Sequence, residues 1–126
     1  MAQLVIAIDF DGTCVTHEYP YMGSDIGAVP VLKELVDAGY RLVLNTMRSG
    51  KTEKEARKWF KDNDIPLFGV NCNPEQKSWT KSTKVFADLY IDDSALGVPL
   101  TSSPTSTRPY VDWIRVREWL VAEGYL

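Results

Sequence analysis

Leu4-Val5-Ile6-Ala7-Ile8-Asp9-Phe10-Asp11-Gly12-Thr13 is an apolar run that ends in two carboxylates one residue apart. A near-continuous apolar run of this length reads as a strand covered on both faces, the pattern of a parallel sheet. Asp9 and Asp11 then leave the sheet at the same exit, and their charges repel. Such a pair calls for a cation or for separate chemical roles. Gly12 permits a tight turn directly after them, and the Thr13 hydroxyl can orient a neighbour.

Working outward, two further strands end in polar residues. Arg41 to Asn45 leads into Thr46-Met47-Arg48-Ser49-Gly50, and Ala87 to Ile91 leads into Asp92-Asp93, with Lys84 just before it. Helices lie between the strands. Val29, Leu32, Leu35 and Val36 recur at helical spacing, with Gly39 as the stop. A charged helix is expected over about Thr52 to Asp62, burying Ala56, Trp59 and Phe60 and leaving its charges in solvent. Leu67 to Val70 reads as a short strand, and Gly97 to Leu100 as a short edge strand. Asp112 can cap a last helix that carries Trp113, Val116, Trp119 and Leu120 and ends near Gly124. Residues 13–27, 71–82 and 101–109 read as irregular. Alternating strands and helices predict a parallel α/β sheet, in which ligands bind outside the strand carboxyl ends. Asp9, Asp11, Thr46, Asp92 and Asp93 all fall there.

With 126 residues, the chain fits one domain, taken as residues 1–126. A net charge of −3 argues against a large electrostatic footprint for nucleic acid. Two cysteines, Cys14 and Cys72, are too few for a disulfide framework. The N-terminal apolar run is too short for a signal peptide, and no segment is long enough to span a membrane. A cytoplasmic protein without membrane partners is expected.

The Asp-x-Asp-Gly-Thr motif, Thr46, Lys84 and Asp92-Asp93, in that order, resemble the haloacid dehalogenase-like superfamily of phosphohydrolases over roughly the first hundred residues. The resemblance implies a Rossmann-like three-layer α/β/α sandwich and hydrolysis of a phosphomonoester. Asp9 would be the nucleophile, forming an aspartyl-phosphate, and Asp11 the general acid and then base. Magnesium would be held by the Asp9 side chain, the Asp11 carbonyl and Asp92, with Asp93 binding through water or orienting Lys84. Thr46 and backbone N–H groups near Met47 and Gly12 would hold the phosphoryl oxygens. Lys84, preferred to Lys81 and Lys77 for its nearness to the Asp92 strand, would offset negative charge. Arg48 stands at the site mouth, either binding substrate or in a surface salt bridge.

Other residues read more plainly. His17 is expected to be solvent-exposed or packed, Cys14 to be a small buried residue, and Trp79 to be the one tryptophan for a substrate rim. No stretch is long enough for the folded cap that many family members insert, so an open site is expected. The irregular segments carry no strongly apolar patch for an obligate interface. A bulky phosphorylated substrate is therefore preferred over a neighbouring subunit as the cover, with small phosphoesters also open. Three other functions compete. Removal of terminal phosphates from nucleic acid is weakened by the acidic balance. A phosphoacceptor module has no use for the second acid, Asp11. The full residue set weighs against a scaffold that only binds phosphate or metal.

Overall fold

The computed structural model describes residues 3–126, in which four parallel strands form a sheet of order β3-β2-β1-β4. The strands are β1 (Val5–Ile8), β2 (Arg41–Leu44), β3 (Gly69–Val70) and β4 (Leu89–Ile91). The quoted run thus forms a central strand, hydrogen-bonded on both sides. Ile6 pairs with Leu42 and Leu89, and Ile8 with Leu44 and Ile91. Side chains alternate between the two faces of a strand, and the apolar run fills both. Ile6, Ile8, Leu42, Leu44 and Ile91 join the larger core, while Val5, Ala7 and Val43 pack with Val85, Ala87 and partly buried Phe68 on the other face. Each such side chain contributes roughly 1.5–3 kcal/mol on burial. Continuous apolarity is therefore the right signal for a two-faced strand.

Helices α1 (Ala28–Asp37), α2 (Gly50–Asp62) and α3 (Trp113–Ala122) all contribute to the larger core, through Leu32 and Leu35, Ala56 and Phe60, and Val116 and Leu120. The opposite face is covered more thinly, by the crossover from β3 to β4 and its single 3-10 turn, Gln76–Ser78. Gln76 knits that crossover together: its amide donates to the Ser82 and Lys84 carbonyls and accepts from the Phe86 N–H. The result is a small α/β domain of Rossmann-like type.

Local expectations hold with small shifts. Helix α2 begins two residues before Thr52, because Ser49 caps it and its N–H donates to Thr52 Oγ1 at 3.3 Å. Asp112 caps α3 by accepting from the Ile114 and Arg115 N–H groups. The short strand expected at Gly97 to Leu100 does not extend the main sheet. Leu100–Thr101 (β5) instead pairs antiparallel with Tyr110–Val111 (β6) in a separate ribbon. A two-residue strand cannot declare its partner by periodicity, and the intervening loop returns the chain to make its own. The flap, residues 13–27, contains no helix among the described residues and is tied by isolated bridges of Val15 to Asp11 and Asp25. No described helix is long and apolar enough to cross a membrane.

Candidate active site

Three strand ends converge. The Asp9 N–H donates to the Ile91 carbonyl at 3.0 Å, and the Asn45 N–H to the Ile8 carbonyl at 2.8 Å, so β1, β2 and β4 finish level with one another. Past that line lies a cavity of about 450 Å3, lined by Asp9, Asp11, Thr46, Met47, Arg48, Asp92 and Asp93. His17, Tyr19, Ser94 and Arg108 complete its wall.

Asp9, Asp92 and Asp93 each bring one carboxylate oxygen within 4.8 Å of the other two. Thr13 organises them, its hydroxyl donating to Asp9 Oδ2 at 2.7 Å and accepting from the Asp93 N–H at 3.0 Å. Gly12 makes room. Its φ is +81°, and a Cβ there would collide with the Asp93 carboxylate, so both conformation and space require glycine. Behind the turn, Trp113 Nε1 donates to the Thr13 carbonyl at 2.7 Å and the Val111 N–H to the Gly12 carbonyl at 2.9 Å.

Burial pushes the Asp9 carboxyl up from 3.8 to about 8, and the neighbouring Asp92 and Asp93 charges add to the rise against the Thr13 hydrogen bond. Burial raises Asp93 as well, and nearby Asp92 adds to this, while the Arg108 charge pulls the other way. Three crowded carboxylates, two of them with raised proton affinity, are a site that favours a cation. An all-oxygen donor set suits a hard divalent ion. The residues present therefore fit the metal implied by the sequence resemblance. The Asp11 side chain stands apart from this trio.

Asp11 is held instead by Arg48. Nε donates to Asp11 Oδ2 at 2.8 Å and Nη2 to Oδ1 at 2.7 Å, a two-pronged pair. Nη2 also reaches the Tyr21 carbonyl at 2.8 Å and Nη1 the Thr52 carbonyl at 3.2 Å. The guanidinium lies 5.1 Å from the Phe10 ring centroid and 5.4 Å from that of Tyr19. At 2% exposure, Arg48 is the largest fully buried side chain. With four of its five N–H groups engaged, it is not a surface ion pair and has little left to offer a substrate. It fastens the nucleophile loop, the flap and α2 to one another.

Thr46 lies at the end of β2. Its N–H donates to Asn71 Oδ1 at 2.8 Å and its hydroxyl accepts from the Arg48 N–H at 3.1 Å, leaving the hydroxyl proton to donate onward. Met47 is 97% exposed at the rim. Lys84 is not brought to the site. It precedes the amino end of β4 whereas the acids lie past the carboxyl end, and its Nζ sits 5.7 Å from the Tyr90 ring centroid. Nearness in sequence to the Asp92 strand is thus nearness to its wrong end. Lys77 and Lys81 line a different cleft, with Asn71 and Gln76. Trp79 packs edge-on against Phe86, away from the acidic cavity. Cys14 is fully buried, which raises its thiol well above the ordinary range, with the Asp9 and Asp11 charges adding to the effect. That makes it inert as a nucleophile.

His17, Tyr19 and Arg108 line the site without a sequence signal that announces them. The flap carries no periodicity that would aim His17 inward. Arg108 comes from the loop between β5 and β6, and only the pairing of that ribbon brings it over the acids.

The chain is similar to the solved structure of a conserved protein coded by a locus of Bacteroides thetaiotaomicron, with 34% identity over 98% of this chain and 93% of that one, and a TM-score of 0.77. The chain belongs to the family of that Bacteroides protein. No protein-family model matches the chain, and neither does any curated protein. The kinship carries the whole α/β framework and brings no activity with it.

Proposed function

We propose that the protein is a magnesium-dependent phosphohydrolase of the haloacid dehalogenase type, acting on a phosphomonoester through an aspartyl-phosphate. The observation that carries this is the separation of the Asp9 and Asp11 side chains. Asp9 clusters with Asp92 and Asp93, while Asp11, two residues on, is turned out of that cluster by Arg48.

When bound by Asp9, Asp92, Asp93 and the Asp11 carbonyl, magnesium supplies the positive charge that keeps Asp9 ionised and lets a phosphate approach. Asp9 Oδ attacks phosphorus, forming an acyl-phosphate bond as the bond to the leaving oxygen breaks. Asp11, once one of its oxygens is freed from Arg48 and has taken up a proton from solvent, gives that proton to the leaving oxygen. It then takes a proton from water, whose oxygen attacks phosphorus, freeing the Asp9 carboxylate and inorganic phosphate. Thr46 donates its hydroxyl proton to a phosphoryl oxygen. To reach the leaving group, Asp11 has to release one tine of the Arg48 fork.

Aryl phosphate turnover with magnesium and with chelator tests the reading. Activity should need both magnesium and Asp9. Equal rates in chelator would remove the metal, and turnover by Asp9→Asn would remove the nucleophile.

A further inference from the structure

A site that receives a phosphate dianion beside four carboxylates needs a cation with hydrogen-bond donors to spare. Lys84 is at the wrong end of β4, and four of the five N–H donors of Arg48 are engaged with Asp11, Tyr21 and Thr52. The other cation lining the cavity is Arg108. Its guanidinium is exposed, and Nη1 lies 3.2 Å from His17 Nε2. An arginine only donates, so His17 Nε2 is the acceptor in this contact. One N–H of five is engaged by this contact, which leaves a planar fork for oxygen ligands.

The placement of Arg108 is built into the fold. Three residues on, the Val111 N–H is bonded to the Gly12 carbonyl, and Pro109 stiffens the link between. The strand that follows Arg108 is therefore stitched to the nucleophile turn itself. His17 holds the guanidinium from the flap side.

We propose that Arg108 is the catalytic cation of this site, gripping the non-bridging phosphoryl oxygens in the role expected of Lys84, and that His17 is its positioning residue. This rests on the phosphohydrolase reading above, but predicts anion binding separately from turnover.

Inorganic phosphate titrated into the magnesium-loaded protein, followed by calorimetry, is the direct probe, with aryl phosphate turnover measured alongside. Arg108→Ala should weaken phosphate binding at least tenfold and lower kcat/KM by ~100-fold, and Arg108→Lys should restore part of both. Lys84→Ala should match the unaltered protein. His17→Ala should weaken phosphate binding less than Arg108→Ala, and His17→Gln, which keeps an acceptor, should recover it. Arg108 is exposed, so thermal melts of its variants should overlay. Phosphate bound through Arg108 without ester hydrolysis would uphold this inference and sink the hydrolase. Asp9-dependent hydrolysis indifferent to Arg108→Ala would do the reverse. Failure of the unaltered protein to bind phosphate, or a larger loss in Lys84→Ala than in Arg108→Ala, would overturn the inference.

Discussion

Replacing Asp9 with asparagine should destroy turnover and, in the absence of divalent metal, stabilise the protein. The Asp9 carboxyl is raised from 3.8 to about 8 in the folded state, chiefly by burial and then by Asp92 and Asp93. The native state therefore holds a proton that the unfolded chain gives up at ordinary carboxylate pH. Stability contributed by this group is fully present below about pH 4 and is lost as pH rises through about 8. About four tenfold steps at roughly 1.4 kcal/mol each set a ceiling of ~6 kcal/mol on that loss. The group opens onto a solvent-filled cavity, and screening reduces the expected loss to ~2–3 kcal/mol. An asparagine in its place has no such proton, and its amide oxygen can still accept from Thr13. In chelator at pH 8.5, Asp9→Asn should therefore melt ~5–10 °C higher than the unaltered protein, taking roughly 3 °C per kcal/mol for a domain this size. Below pH 4 the two should melt together. Magnesium should raise the melting temperature of the unaltered protein and do much less for the variant. Calorimetric melts across pH in chelator and in magnesium check all three. A variant less stable than its parent at high pH would refute the electrostatic reasoning, because it would mean the three carboxylates are not in conflict.

Gly12→Ala should lose activity and at least ~2 kcal/mol of stability, read from denaturant midpoints, because it pairs a left-handed backbone with a collision at Asp93. Arg48→Ala leaves the Asp11 carboxylate without its buried partner and unfastens the flap. A loss of ~3 kcal/mol is expected, together with faster proteolysis within residues 13–27, measured by limited digestion. Trp113→Phe removes the hydrogen bond to the Thr13 carbonyl and should cost ~1–2 kcal/mol in a chemical melt, with the larger effect on kcat rather than KM because that bond backs the nucleophile turn.

What the sequence determined by itself is the part ruled by local physics. A run that is apolar at every position has to be covered on both faces, the pattern of a parallel sheet, while its central place between β2 and β4 belongs to the tertiary structure. A strand in such a sheet has one functional end, and Asp9, Asp11, Thr46, Asp92 and Asp93 stand there by their position in the chain alone. Gly12 is readable for the same reason, since a turn directly after a buried strand needs its freedom. The start of the last helix at Asp112 follows from its own capping carboxylate, whereas the Ser49 cap, two residues ahead of the expected start of α2, emerged only in the folded chain. The tertiary structure decided which charges serve the site. Arg48 reads from the sequence as an arginine at a loop mouth. It is buried because Phe10, Asp11, Tyr19, Tyr21 and Thr52, from three separate segments, surround it and engage four of its five donors. Lys84 is near Asp92 along the chain but far along the strand axis, a distinction that sequence separation does not record. Arg108 lies ninety-nine residues after Asp9 and shares its cavity because β6 bonds to the Gly12 turn. Backbone direction is encoded locally, but the partner of a long charged side chain is chosen by whichever distant segments fold around it.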